Sequence, residues 1–205
     1  ALKDLVCFCE NNKVENFLDD EQLKRLLEVL RSDRNRAVCR IALFLLSTGC
    51  RLNEALSATW QHVDRENKVW RIPASNSKSK KVRSVPLNES ALDVLDQLGT
   101  EGKFDHLFVS DKTGAKLAFV HKSWNRIRVL AELPHLRIHD LRHQYASFLV
   151  NSGRSLYEVQ KILGHSSHSV TERYAHLSSK SLMDAANTAS DRIKAATIEA
   201  RSEER

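Results

Sequence analysis

Apolar residues recur along this chain with two different periods, and the change of period divides it into helical flanks around a short sheet. Residues 1–17 keep no clean period, and 1–18 reads as a linker remnant ahead of the first patterned segment. Asp19, with Gln22 three residues on, has the form of a capping box, and Leu23, Leu26, Leu27 and Leu30 follow at helical spacing. A second helix is predicted over Arg36 to Thr48, apolar on most faces and therefore central, with Gly49 as its left-handed C-cap. Arg51 falls on the turn into another short helix.

Between Trp60 and Leu87 the period moves toward two. Val69-Trp70-Arg71-Ile72 and Val82-Arg83-Ser84-Val85 flank the polar run Asn76 to Lys81, which predicts a hairpin with a basic loop. A helix near Glu89 to Leu98 and a short strand at Leu107-Phe108-Val109 follow, then helices near 119–131, 138–152, 156–163 and 170–176. Ser155 with Glu158, and Ser169 with Glu172, look like capping boxes, and Gly164 closes the earlier of those two helices. The tail, 178–205, is Ala-rich and charged, helical at first and frayed at its end. The fold class is therefore mainly α with a small antiparallel β-sheet, one compact domain over 19–177 with the tail appended.

Composition narrows the function. The 205 residues are 41% hydrophobic and 28% charged, enough to bury a sizeable core and unlike a disordered chain. The longest apolar run, Ala42 to Leu46, is far too short to cross a bilayer, and the first residues lack a signal-peptide layout, so no membrane partner is expected. Cys7, Cys9, Cys39 and Cys50 show no CxxC spacing, which points to reduced thiols in a cytoplasmic setting and away from structural zinc. The net charge is +6, but its distribution matters more: Arg71 to Arg83 holds five bases and no acid. Such a strip suits a phosphate backbone.

The chemistry-bearing residues cluster late in the chain. In His139-Asp140-Leu141-Arg142-His143-Gln144-Tyr145, a helical projection puts Leu141, Tyr145, Phe148 and Leu149 on an apolar stripe and His139, Arg142, His143 and Ala146 opposite, with room for a ligand above Ala146. An isolated His-x-x-Arg of this kind is ordinarily a solvated helix face. Gly164-His165 and, nine residues after that histidine, Tyr174 add to it, as does Thr48-Gly49-Cys50-Arg51-Leu52-Asn53-Glu54 upstream. The ordered set of Arg, hairpin Lys, His-x-x-Arg, Gly-His and Tyr resembles the tyrosine recombinase (phage integrase) family over about residues 20–177.

The resemblance implies a catalytic domain that cuts and rejoins DNA, with Arg51, Lys78, His139, Arg142, His165 and Tyr174 as its catalytic residues. Lys80 and Lys81 rival Lys78 as the hairpin lysine, and Lys80, Lys81 and Arg83 are candidate DNA contacts. Family members usually carry a core-binding domain ahead of this one, so the chain reads as an isolated catalytic domain. Implied partners are double-stranded DNA, further copies of the chain as a dimer or a tetramer on DNA, and accessory DNA-bending proteins. The tail is expected to dock on a neighbouring subunit, and a phage or prophage origin in a bacterial cytoplasm or nucleoid fits.

The implied chemistry is physically coherent. A phenol attacking a phosphodiester generates extra charge on the nonbridging oxygens, which planar guanidiniums clamp bidentately. Tyr174, as a phenol of ordinary pKa near 10, needs help losing its proton; His139 or the substrate would assist, and the sequence assigns no base. Lys78 suits a general acid for the 5′-hydroxyl leaving group, and His165 a hydrogen bond to a phosphate oxygen. A 3′-phosphotyrosine conserves the bond energy, so rejoining needs no ATP. No cofactor is expected, and the i, i+4 histidines His135, His139 and His143 lack an acidic third ligand for a metal. Glu54 either orients Arg51 or supports a helix start, Asp140 is a helix-start charge, and Trp60, Trp70 and Trp124 belong to core or rim. Rival readings are a type IB topoisomerase or resolvase, and a non-catalytic basic DNA-binding domain.

Overall fold

Asp19 caps the first helix, accepting from the Gln22 backbone N–H while the Gln22 side chain accepts from the Asp19 backbone N–H, so α1 runs Asp20–Ser32 as the capping box predicts. The computed structural model describes residues 17–76, 81–165, 169–172, 174, 175 and 187. Lys78, Lys80 and most of the tail therefore lie outside the described residues.

Helix α2, Arg36–Thr48, is capped by Asn35, ends at Gly49 in the left-handed region, and has nine residues buried. It occupies the centre of the molecule because it is apolar nearly all round, and it packs against α1, α3 (Leu52–Leu56), α4 (Glu89–Leu98) and α6 (Asp140–Asn151). The sheet is β1 (Val63–Asp64), β2 (Val69–Ile72) and β3 (Arg83–Pro86), antiparallel in that order, with Trp70 opposite Val85. Alternation turns Trp70, Ile72 and Val85 inward, and Phe44 of α2 meets Trp70 and Phe108 at ring-centroid distances of 5.5 and 5.4 Å. Helix α5, His121–Leu130, is joined to the end of α1 by Arg126, whose guanidinium grips the Asp33 carboxylate at 2.5 and 2.7 Å.

Two sequence expectations need correction. The strand at Leu107–Val109 is absent. All three residues are buried, but the segment pairs only through isolated bridges, His106 with Thr59 and Val109 with Lys116, so the apolar run reflects burial of an irregular segment with no continuous partner strand. Helix α6 also lacks the expected open polar face. Of the residues expected on it, Arg142 and Ala146 are buried where α2 and α7 (Leu156–Leu163) pack on the helix, whereas His143 is half-buried and His139, just ahead of the helix, is exposed. The space above Ala146 is filled by Val150, Val159, Leu163 and Tyr174, which form a second small core.

Ser155 and Glu158 make the predicted capping box for α7, which ends at Gly164 in the left-handed region. Helix α8 comprises Ser169–Glu172, beginning at the serine that was expected to precede it. Burial pushes the Cys39 thiol up to about 11 and that of Cys50 up to about 12, so both stay protonated at neutral pH. No described helix is long and apolar enough to cross a membrane.

Phe44→Ala would empty the point where helix, sheet and the Phe108 segment meet. Urea unfolding should show a loss of about 3–5 kcal/mol; a loss below about 1 kcal/mol would mean that the aromatic cluster does not hold the sheet to α2.

Candidate active site

The site begins at the junction of α2 and α3. Arg51 precedes α3, and Glu54 binds it twice, accepting the Arg51 backbone N–H at 2.8 Å on Oε2 and a guanidinium N–H at 2.9 Å on Oε1. Both readings of Glu54 thus hold at once: it caps the helix start and orients the arginine. Its Oε2 also accepts from Arg83 at 2.6 Å. Burial alone would raise the Glu54 carboxyl, but the Arg83 charge, then the Arg51 N–H and guanidinium, outweigh it and hold the group below the ordinary carboxylate range.

Arg142 lies one turn into α6 and is 4% exposed. Its fork donates to the Gly49 carbonyl at 2.5 Å and to the Leu163 carbonyl at 2.8 Å, and among the described residues it bonds to no carboxylate. Those carbonyls end α2 and α7, where helices leave acceptors unsatisfied and carry partial negative charge, so two helix termini stabilise one buried cation. Gly49 is required for this turn: its φ is +62°, and a Cβ there would lie 2.3 Å from the Tyr145 ring. Burial, then repulsion from Arg51 and Arg83, lowers the Arg142 pKa to about 10, still far above neutrality. Arg142 is therefore a fixed positive charge.

The histidines complete the constellation. His139, exposed just ahead of α6, packs edge-on to His143 with ring centroids 5.1 Å apart. Desolvation, then the Arg142 charge, lowers its pKa, so His139 stays neutral to a more acidic pH than a free histidine. His143 Nδ1 lies 2.5 Å from the hydroxyl of Tyr174, which is 1% exposed. His165, following Gly164, has Nδ1 2.9 Å from the buried Thr171 hydroxyl of α8. Asp140 is buried, and its carboxylate accepts from the Arg137 backbone N–H and guanidinium, fixing the turn before α6. Among the described residues no His, Cys, Asp and Glu gather as a metal site.

Arg51, Asn76, His121 and His139 share the rim of an open groove of about 530 Å³. A larger surface groove of about 910 Å³, lined by Trp60, Lys103, Phe104, Asp105, His106 and Lys116 among others, shares no lining residue with it.

The structure thus brings Arg51, His139, Arg142, His165 and Tyr174 into one linked neighbourhood. Lys81 is exposed at the edge of the described hairpin. Arg83, expected to touch DNA, is instead turned inward, its side chain 9% exposed and bound to Glu54 and the Ile162 carbonyl. Sequence reasoning missed the pairing of His143 with Tyr174. The only trace of it was the i, i+4 spacing from His139, which put His143 on the same face.

Comparison with known proteins gives the family of the chain. The profile of the phage integrase family matches residues 16–197. The chain belongs to that family. It is 32% identical over 184 residues to the integrase of Salmonella phage P22, covering 84% of this chain and 46% of that one. The catalytic domain of bacteriophage HP1 integrase superimposes with a TM-score of 0.63 at 30% identity, over 83% of this chain and 93% of that domain. The XerH site-specific recombinase, in a structure bound to a palindromic difH substrate, gives a TM-score of 0.66 at 28% identity, over 85% of this chain and 53% of that one. The chain spans about half the length of the curated relatives it matches, 46 to 49% for the first three.

In this family member Glu54 should contribute to the acid limb of stability. A depressed carboxyl contributes stability that is present above its unfolded pKa and lost as pH falls through the folded value. Glu54→Gln, which leaves Arg51 and Arg83 without their shared anion, should cost about 3–5 kcal/mol near pH 7. That gap should close on acidification below the ordinary carboxylate range. A gap that stays constant with pH in thermal melts would show that the carboxylate charge is not what binds the arginines.

Proposed function

We propose that the chain is the catalytic domain of a site-specific DNA recombinase, cutting and rejoining strands through a covalent tyrosine intermediate in the integration or excision of a phage or mobile element. The observation that carries this reading is the buried Arg142 fork, charged, bonded among the described residues to backbone carbonyls and close enough to Arg51 to feel its charge, with a tyrosine hydroxyl held by His143 of the same helix. A guanidinium on the rim of an open groove, that of Arg51, with the buried Arg142 charge close by, suits a phosphate in its more highly charged transition state. The XerH relative was captured on DNA in a post-cleavage complex, which supports double-stranded DNA as the substrate class.

In the proposed reaction the Tyr174 oxygen attacks the scissile phosphorus and the bond to the 5′-oxygen breaks, leaving a 3′-phosphotyrosine. The phenolic proton leaves toward a base, and His143 Nδ1, in the tautomer that accepts, is the described group placed to receive it. Tyr174 must quit its packed pocket to reach a phosphate in the groove, since it is 1% exposed. Arg51 and Arg142 clamp the nonbridging oxygens, while His139 and His165 hydrogen-bond to phosphate. Lys78, outside the described residues, protonates the 5′-hydroxyl, with Lys80 and Lys81 as backbone contacts. Rejoining reverses the step with a different 5′-hydroxyl. Assembly as a dimer, or a tetramer on DNA, with the tail docked on a neighbour and with accessory bending proteins, belongs to the same proposal, as does a bacterial cytoplasmic or nucleoid setting.

A nicked suicide duplex incubated with the protein and resolved on a denaturing gel tests the reaction. The wild-type chain should form a covalent adduct that survives EDTA, because guanidiniums supply the positive charge; Tyr174→Phe should bind DNA and form none. An adduct in that variant removes Tyr174 from the role, and loss of the wild-type adduct on chelation revives a metal mechanism. Arg51→Lys, unable to reproduce a bidentate fork, should slow adduct formation about 10²-fold or more. Relaxation of supercoiled DNA without any site requirement would favour a topoisomerase.

A further inference from the structure

Arg83 belongs to the basic strip by sequence but not by position. Its side chain is 9% exposed, one guanidinium nitrogen bonding Glu54 Oε2 at 2.6 Å and another the Ile162 carbonyl at 2.8 Å. Its aliphatic stem lies against Gly164, where an added Cβ would fall 2.1 Å from Arg83 Cδ and where φ is +67°. One side chain therefore spans from the carboxylate that orients Arg51 to the last turn of α7, whose next carbonyl, that of Leu163, binds Arg142. His165 follows two residues later.

The electrostatics point the same way. Arg51 and Arg83 both repel Arg142, and among the described residues Glu54 is the single carboxylate bonded to any of the three. With Arg83 present, Glu54 divides its two oxygens between two cations. Without Arg83 the carboxylate would be left to Arg51 alone, neutralising the charge that a phosphate needs and freeing the Arg51 fork to rotate onto both oxygens.

We propose, on the basis of the recombinase reading above, that Arg83 is a positioning residue that bridges Glu54 to the C-terminal turn of α7, holding Arg51 and the Leu163–His165 turn in register without touching DNA. A misplacement near 1 Å in such a site costs about 10²-fold in rate. The bridge uses a fork: Arg83 meets its two acceptors with two separate nitrogens, whereas the three donors of an ammonium radiate from one.

The test compares Arg83→Lys and Arg83→Met with the wild-type chain. With nicked duplex at saturating protein, adduct formation should slow about 10²-fold in both variants, while DNA affinity stays within about threefold and its salt dependence is unchanged. A direct phosphate contact would instead weaken binding and reduce the slope of log K against log salt by about 0.9. That outcome, with a normal rate at saturation, overturns the assignment. Arg83→Lys keeps the charge, so it carries the rate comparison if Arg83→Met does not fold. A second readout needs no DNA: the Glu54 carboxyl, followed by 13C NMR, should titrate at a higher pH in Arg83→Met than in the wild type. An unchanged midpoint overturns the bridge. Failure of the wild-type chain to form any adduct would overturn the reaction itself, an outcome separate from the Arg83 result because the Glu54 midpoint is read on the free protein.

Discussion

Arg142 carries a full charge into an interior where it is 4% exposed, and the relation of α2, α6 and α7 follows from the need to stabilise it. An isolated cation buried in this way would cost several kcal/mol. The cost is met by geometry: two helices stop where their last carbonyls converge on one guanidinium. Both helices end at a glycine with positive φ, Gly49 and Gly164, and at each a side chain from another element, Tyr145 or Arg83, occupies the space a Cβ would need. Helix termination, glycine placement and the buried arginine are thus one constraint seen from three sides.

The choice of carbonyls over a carboxylate has a functional consequence. A carboxylate would cancel the Arg142 charge, whereas helix ends only partly offset it. Glu54, the carboxylate nearby, engages Arg51 and Arg83. The described site therefore remains net positive beside a groove open to a polyanion, with His139 kept neutral and able to accept a hydrogen bond. Tyr174 is packed in the second small core and tied to His143, and Arg142 is nearly as buried, so both must be uncovered before a phosphate in the groove can meet them.

Local rules made most of the fold legible. The capping box at Asp19, the glycine stops at Gly49 and Gly164 and the Ser155–Glu158 box each act within a few residues, and each set an element boundary that the structure reproduces. The order of Arg51, His139, Arg142, His165 and Tyr174 was legible as a motif. Contacts between distant segments were not. The inward turn of Arg83 depends on Ile162, 79 residues away, and charge counting along the strip could not separate it from Lys81. The Tyr174–His143 bond requires α7 to fold back on α6, which no helical projection of α6 alone contains. Leu107–Val109 misled because burial of an irregular segment and a short buried strand leave the same apolar run.

The central claim is that Arg142 serves by its charge, delivered to a nonbridging phosphate oxygen. It is tested by measuring the cleavage rate of Arg142→Ala on two nicked duplexes, one with an ordinary scissile phosphate and one with a methylphosphonate, in which a neutral methyl replaces a charged oxygen. The account expects a loss of about 10²-fold or more on the phosphate and a loss of less than about 10-fold on the methylphosphonate, where one nonbridging oxygen and the charge it carried are gone. An equal loss on both would contradict it and would leave Arg142 as a strut between two helix ends.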